Sequence, residues 1–236
     1  EPYRRTPTPL GLQTMIRSFV RKVARKPVMK MPVRTNMIGK KAPEVSAMAC
    51  MPDNSFQEIS LSDYKGKPVV LYFYPADFTF VCSSEVPGFA ALNEEFEKLG
   101  AQLIGCSTDT HHVHKAWKNA SSELGGLADF DINHPLIGDF KGEVSEAFDV
   151  RMNGDFDPLP CRAVFVIDDD GTVMAEHRNA DPLGRNTKEA LRTVQALLEH
   201  KKTGRVVPAD WTPGADTLET TTEAVDEYLK KLKAKK

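Results

Sequence analysis

Val69-Val70-Leu71-Tyr72-Phe73-Tyr74-Pro75-Ala76-Asp77-Phe78-Thr79-Phe80-Val81-Cys82-Ser83-Ser84-Glu85 carries three signals in one stretch. Its first six residues are apolar, rich in β-branched and aromatic side chains, the pattern of a strand buried on both faces. Pro75 stops that strand. Beyond Cys82, residues Val86, Phe89, Ala90, Leu92 and Phe96 give a helical pattern. The stretch therefore reads strand, turn, helix, with a cysteine at the helix's first turn. A sulfur there meets unpaired backbone N–H groups and the positive end of the helix dipole, and both favour thiolate over thiol. The ordinary alternative is a small apolar residue packed beneath a helix. The order strand, Pro, Thr, Cys, helix argues against it.

Outward from this stretch the chain alternates. Strand-like runs fall over 45–50, 56–59, 68–74, 102–107, 163–168 and 172–178. Helical patterns fall over 83–99, 111–120, 142–148, 187–202 and 221–233. Such alternation predicts an α/β sandwich with a mixed central sheet. Asp168-Asp169-Asp170-Gly171 between two apolar runs reads as a hairpin turn rather than a cation site. Three regions follow: a basic N-terminal extension over 1–36, a globular domain over 37–200 and a C-terminal extension over 201–236. Within the first, Leu12, Ile16, Phe19, Val20 and Val23 form one helical stripe that Pro27 ends.

At 236 residues the chain has ample length for a buried core, and 41% apolar with 27% charged residues is a globular composition. No stretch approaches the ~18 to 20 apolar residues of a membrane-spanning helix. Residues 1–43 hold eleven Lys/Arg against one acid, and the last seven residues hold five lysines. The body between, 44–229, has fifteen basic and thirty-two acidic residues, a net of −17. So acidic a body is a poor match for nucleic acid. Cysteines at 50, 82, 106 and 161 form no CxxC pair, which argues against structural zinc and fits a reducing compartment.

A nucleophilic Cys82 needs groups that polarise its substrate. Thr79 can place a hydroxyl beside the sulfur, as acceptor from a thiol or donor to a bound oxygen. Pro75 can wall the pocket against water. A fixed cation with a fork of donors is also expected. Arg162, opening the strand that runs to Asp168, and Arg185, in the loop before helix 187–202, are the candidates. No GxGxxG, P-loop or HExxH occurs, so no metal or organic cofactor is expected. His111, His112 and His114 cluster at a helix start and read as solvated or interface residues.

Pro75-Ala76-Asp77-Phe78-Thr79-Phe80-Val81-Cys82 resembles the active-site motif of peroxiredoxins of the alkyl hydroperoxide reductase C-subunit and typical 2-Cys type. Further similar segments are Gly105-Cys106-Ser107-Thr108-Asp109, His114-Lys115-Ala116-Trp117, Pro182-Leu183-Gly184-Arg185 and Pro208-Ala209-Asp210-Trp211. The resemblance implies a thioredoxin-like fold and a thiol-dependent peroxidase. It makes Cys82 the peroxidatic cysteine, with Pro75, Thr79 and Arg162 as its pocket. Glu85 and Arg185 become the ion pair that orients Arg162. It also implies a hydroperoxide substrate, an external thiol or thioredoxin-like reductant, and a homodimer that assembles into a decameric ring.

Two departures matter. Val207 stands where the family's resolving cysteine is expected, and Cys82-Ser83-Ser84-Glu85 replaces Cys-Pro-Thr-Glu, so that Ser83 becomes a candidate helix cap. Three readings stay open: a 1-Cys cycle reduced by an external thiol, an internal resolver among Cys50, Cys106 and Cys161, or a structural or chaperone-like subunit docked on a larger assembly. Cys106 reads as an inert core thiol, Cys161 points away from Arg162 by strand alternation, and Cys50 is least constrained. Without a resolving cysteine, over-oxidation of Cys82 to sulfinic acid is expected to be easy. The second departure is the Arg-rich, almost acid-free arm 1–36, which resembles a mitochondrial transit peptide. It suggests the mitochondrial matrix, with cytoplasm as the alternative, and a docking arm for a protein complex or membrane surface. A start at Glu1 rather than Met implies processing or an incomplete beginning.

Overall fold

Strand β3 (Val69–Phe73) is buried along its whole length, as its apolar run requires. A computed structural model of the chain describes residues 36–234. The arm expected over 1–36, with its helical stripe, lies outside the described residues except for Asn36. The remaining strands are β1 (Ser46–Cys50), β2 (Phe56–Ser60), β4 (Gln102–Ser107), β5 (Leu136–Gly138), β6 (Arg162–Ile167) and β7 (Val173–Asn179). They form one sheet in the order β2-β1-β5-β4-β3-β6-β7. β3, β4 and β5 run parallel, and the other pairs are antiparallel. The sheet is therefore mixed, as the alternation predicts.

Alternation along β3 sorts its side chains onto two cores. Val70, Tyr72 and Tyr74 pack with Cys82, Val86 and Phe89 on one face. Val69, Leu71 and Phe73 pack with Ile104, Phe148 and Phe165 on the other. The helices are α1 (Cys82–Ala90), α2 (Asn93–Lys98), α3 (His111–Asn119), α4 (Glu143–Ala147), α5 (Thr187–Thr203) and α6 (Thr222–Ala234). Residues of α1, α2, α3 and α5 belong to the first core, and Val144 of α4 belongs to the second. No residue of α6 is buried.

The structure corrects the expected elements in two places. The helix read over 83–99 is two helices, because Leu92 N–H bonds back only three residues, to Phe89. That tighter turn restarts the chain so that Asn93 and Phe96 are buried. Strand β5 was not among the expected strands: three residues after a proline are too short to show a period. The Asp168–Asp170 segment is the hairpin turn between β6 and β7, as read. Lys201 Nζ contacts Asp168 and Asp169 at 2.7 and 2.6 Å, and Lys41 Nζ contacts Asp170 at 2.8 Å.

Candidate active site

The chain leaves β3 at the sheet's end, where Tyr74 N–H still bonds to Cys106 O at 3.0 Å. It then makes a loop over 75–81. Pro75 is buried there, and Phe78 is held at φ +55°, a left-handed conformation unusual for a bulky residue. Thr79 O accepts from Ser83 N–H at 3.0 Å, so helical bonding has begun before Cys82, the first residue of α1. Ser83 does not cap the helix as expected. Its hydroxyl donates back to Thr79 O at 2.7 Å instead of accepting an N–H.

Cys82 is fully buried, and Arg162 Nη1 donates to its sulfur at 3.2 Å. The same nitrogen donates to Glu85 Oε2 at 2.8 Å. Arg162 Nε and Nη2 donate to Asp181 O and Oδ1, at 2.5 and 3.1 Å. Burial works against the Arg162 charge, but Cys82 and Glu85 outweigh it and its pKa is raised further. Arg185 holds the other side of Glu85. Its backbone N–H and Nε donate to Oε1, and its Nη2 to Oε2, each at 2.8 Å. Arg185 Nη1 donates to Phe73 O and Ala163 O, the last register pair of the β3–β6 ladder. Glu85 thus accepts four N–H bonds, filling the capacity of a carboxylate. Burial pushes its carboxyl up, but Arg185 and then Arg162 outweigh that and hold it below the usual range. One buried carboxylate between two buried guanidiniums leaves a surplus positive charge beside the sulfur, with the half-exposed Asp181 on the solvent side.

The other three cysteines are buried thiols. Cys106 and Cys161 belong to the core on the opposite face of the sheet from Cys82. Burial pushes the Cys106 thiol well up. Cys50 pairs in register with Leu136, which lies in the Cys82 core, so Cys50 faces the correct side. Four strand spacings separate β1 from β6, which carries Arg162. At ~4.8 Å each, that puts Cys50 about 19 Å across the sheet from Arg162, the residue that holds the Cys82 sulfur.

A family model described as the AhpC/TSA family matches residues 38–176, and one described as the C-terminal domain of 1-Cys peroxiredoxin matches residues 196–231. Peroxiredoxin-1 of Gekko japonicus is 44% identical over 196 residues, covering 83% of this chain and 96% of the relative. Peroxiredoxin-2 of Mus musculus is 42% identical, covering 82% and 96%. The solved structure of reduced Plasmodium vivax 2-Cys peroxiredoxin superposes with a TM-score of 0.79 at 36% identity, covering 83% of this chain and all of that one. The chain belongs to the peroxiredoxin family.

The family makes this chain a thiol-dependent peroxidase on a thioredoxin-like fold. In this peroxiredoxin Cys82, Glu85, Arg162 and Arg185 converge, and Pro75 closes the strand beside them. Of the two roles expected of the Thr79 side chain, the structure leaves that of acceptor. Its hydroxyl donates to Ala76 O at 2.7 Å, which leaves its oxygen as an acceptor and not as a donor to a bound oxygen. Two residues are absent from the sequence reading or are placed differently from it. Asp181 positions Arg162, and its place was legible, since it lies two residues beyond Asn179, the β7 partner of Arg162. His114, read as solvated or interfacial, is fully buried and paired with Asp77 at 2.8 Å. His112 is exposed, as read. The Asp168–Asp170 turn is the one group among the described residues whose acidic atoms could gather on a metal, and Lys41 and Lys201 already contact them.

Arg162 serves the site through its forked donors, so charge alone does not replace it. Arg162→Lys is expected to lower kcat/KM for hydrogen peroxide by about tenfold to a hundredfold. Stopped-flow measurement of Cys82 oxidation checks this, and an unchanged rate would show that the fork is dispensable.

Proposed function

We propose that Cys82 is the peroxidatic sulfur and that the chain turns over by a 1-Cys cycle. The Cys82 thiolate attacks the terminal oxygen of a hydroperoxide. The O–O bond breaks, the alkoxide or hydroxide leaves and takes up a proton, and the sulfur becomes sulfenic acid. Arg162 stabilises the charge that moves from sulfur to leaving oxygen. Thr79 accepts a hydrogen bond from the incoming hydroperoxide, and Pro75 shields the pocket from water. Glu85, Arg185 and Asp181 fix the Arg162 fork. An external thiol then condenses with the sulfenic acid, releasing water, and a second thiol reduces the mixed disulfide to regenerate Cys82.

The Arg162 contact at 3.2 Å carries the assignment of Cys82. The 1-Cys cycle rests on the placement of Cys50, Cys106 and Cys161 away from Cys82, together with Val207. Non-reducing electrophoresis after one equivalent of peroxide tests it. A monomer band without an internal disulfide is expected, whereas a peroxide-induced disulfide, within or between chains, would overturn the 1-Cys cycle. Family relationship also supports assembly through a homodimer; native mass spectrometry reads this, and a lone monomer would contradict it.

A further inference from the structure

We propose that His114 is a positioning residue for Cys82: as a doubly protonated ring it bolts Asp77, and with it the 75–81 loop, onto the sheet. The proton count follows from the partners. His114 Nδ1 lies 2.8 Å from Asp77 Oδ2, and Nε2 lies 3.0 Å from Ile137 O. With Asp77 as carboxylate, both partners only accept, so both ring nitrogens donate; burial raises the Asp77 carboxyl, and His114 is first among the groups that oppose that rise. The ring is an imidazolium paired with a carboxylate in the core, both side chains at 0% exposure. Asp77 is tied from two more sides. Tyr74 OH donates to its Oδ1 at 2.9 Å, and its own N–H donates to Asp109 Oδ2, which Ser107 Oγ also holds.

The bolt sits where the loop needs it. Phe78, next in sequence, carries the strained φ of +55°, and Thr79, one further, supplies the carbonyl that starts α1. Strain of that kind persists only where the surroundings over-determine it. Freed at Asp77, the loop relaxes, and Thr79 and the first turn bearing Cys82 lose their placement against Arg162. The inference rests on the assignment of Cys82 proposed above.

The groups facing His114 fix the sign of its pH dependence. They are Asp77 and Tyr74 from the β3 end and loop, Asp109 from the end of β4, the Ile137 carbonyl of β5, and His111 on its own helix. Burial favours the neutral ring, but Asp77, Ile137 and Asp109 outweigh burial, and the His114 pKa is raised. Its contribution is therefore complete below the ordinary histidine value of about 6.5 and is lost as pH rises through the folded value.

Two measurements on the full chain test the proposal. The first is the 15N–1H spectrum of histidine-labelled wild-type protein, assigned with His114→Gln, in which both His114 nitrogens should carry protons at pH 7. A bare ring nitrogen at pH 7 overturns the proposal and leaves the role of Cys82 intact. The second is the pH profile of Cys82 oxidation by hydrogen peroxide. Wild-type rates should fall on an alkaline limb that tracks the His114 signals. Asp77→Asn should lower the rate at pH 7 by about tenfold and remove that limb. A wild-type profile that ignores the His114 titration, or an Asp77→Asn profile that keeps the limb, counts against a positioning role. Failure of the Cys82 assignment would show differently, as oxidation of another thiol at every pH.

Discussion

Cys82→Ser is expected to abolish peroxide reduction, a loss of at least roughly a thousandfold in kcat/KM at neutral pH. The reasoning is chemical. A serine hydroxyl is not ionised near neutrality, so the Arg162 N–H that donates to the sulfur at 3.2 Å would meet a neutral oxygen with too little nucleophilicity to attack a peroxide. The substitution changes one atom in a buried position, so the fold should survive, and circular dichroism should superpose on wild type. None of the other thiols can take over. Cys106 and Cys161 face the opposite core, and burial pushes the Cys50 and Cys106 thiols up. Peroxidase activity that persisted in Cys82→Ser would move the chemistry to another sulfur and dismantle the site described above.

Glu85→Gln is expected to cost about 3–5 kcal/mol of stability, the usual consequence of breaking a buried ion pair from one side. For a chain of this size that is a fall in Tm of roughly 10 °C. Two effects combine. The neutral amide leaves two buried guanidiniums without their shared counter-charge. It also turns an NH2 toward donors: if its oxygen keeps the bonds from Arg185 N–H and Nε, its nitrogen faces Arg185 Nη2 and Arg162 Nη1. The Arg162 fork then loses one of its anchors, so activity should fall along with stability. The effect has a signature in pH. Glu85 has a depressed pKa, so its contribution is complete above the ordinary glutamate value of about 4.3 and fades as pH falls through the folded value. Urea unfolding at pH 7 and at pH 3 should show a wide gap between wild type and Glu85→Gln that narrows in acid. Equal gaps at both pH values would mean that the charge of Glu85 is not what holds the cluster.

The residues that build this site differ in how openly the sequence shows them. Cys82 was legible because its surroundings are local: a buried strand, a proline and a helix start lie within seventeen residues. Arg162 and Arg185 were legible as candidates because each opens or precedes a regular element. Their convergence on Glu85 depends on the antiparallel pairing of β3 with β6, which no local pattern encodes. His114 was misread because its charge argues for the surface, while its partner Asp77 lies 37 residues away. One local signal pointed inward: His114 falls three residues before Trp117, on the buried face of α3. The direction of the Thr79 hydroxyl hangs on the carbonyl of Ala76, a detail of loop geometry outside any periodicity. Strand β5 formed because β1 and β4 supply ladder partners for a three-residue run.

The central claim is that the Arg162-bound sulfur of Cys82 is the atom that reduces peroxide. Its most direct measurement is peptide mass mapping of all four cysteines, quenched within seconds of adding one equivalent of hydrogen peroxide, with sulfenic acid trapped by a dimedone-type reagent. The account predicts that the dimedone thioether appears on Cys82 while Cys50, Cys106 and Cys161 remain unmodified. An unmodified Cys82, or an adduct that appears first on any of the other three, would contradict it.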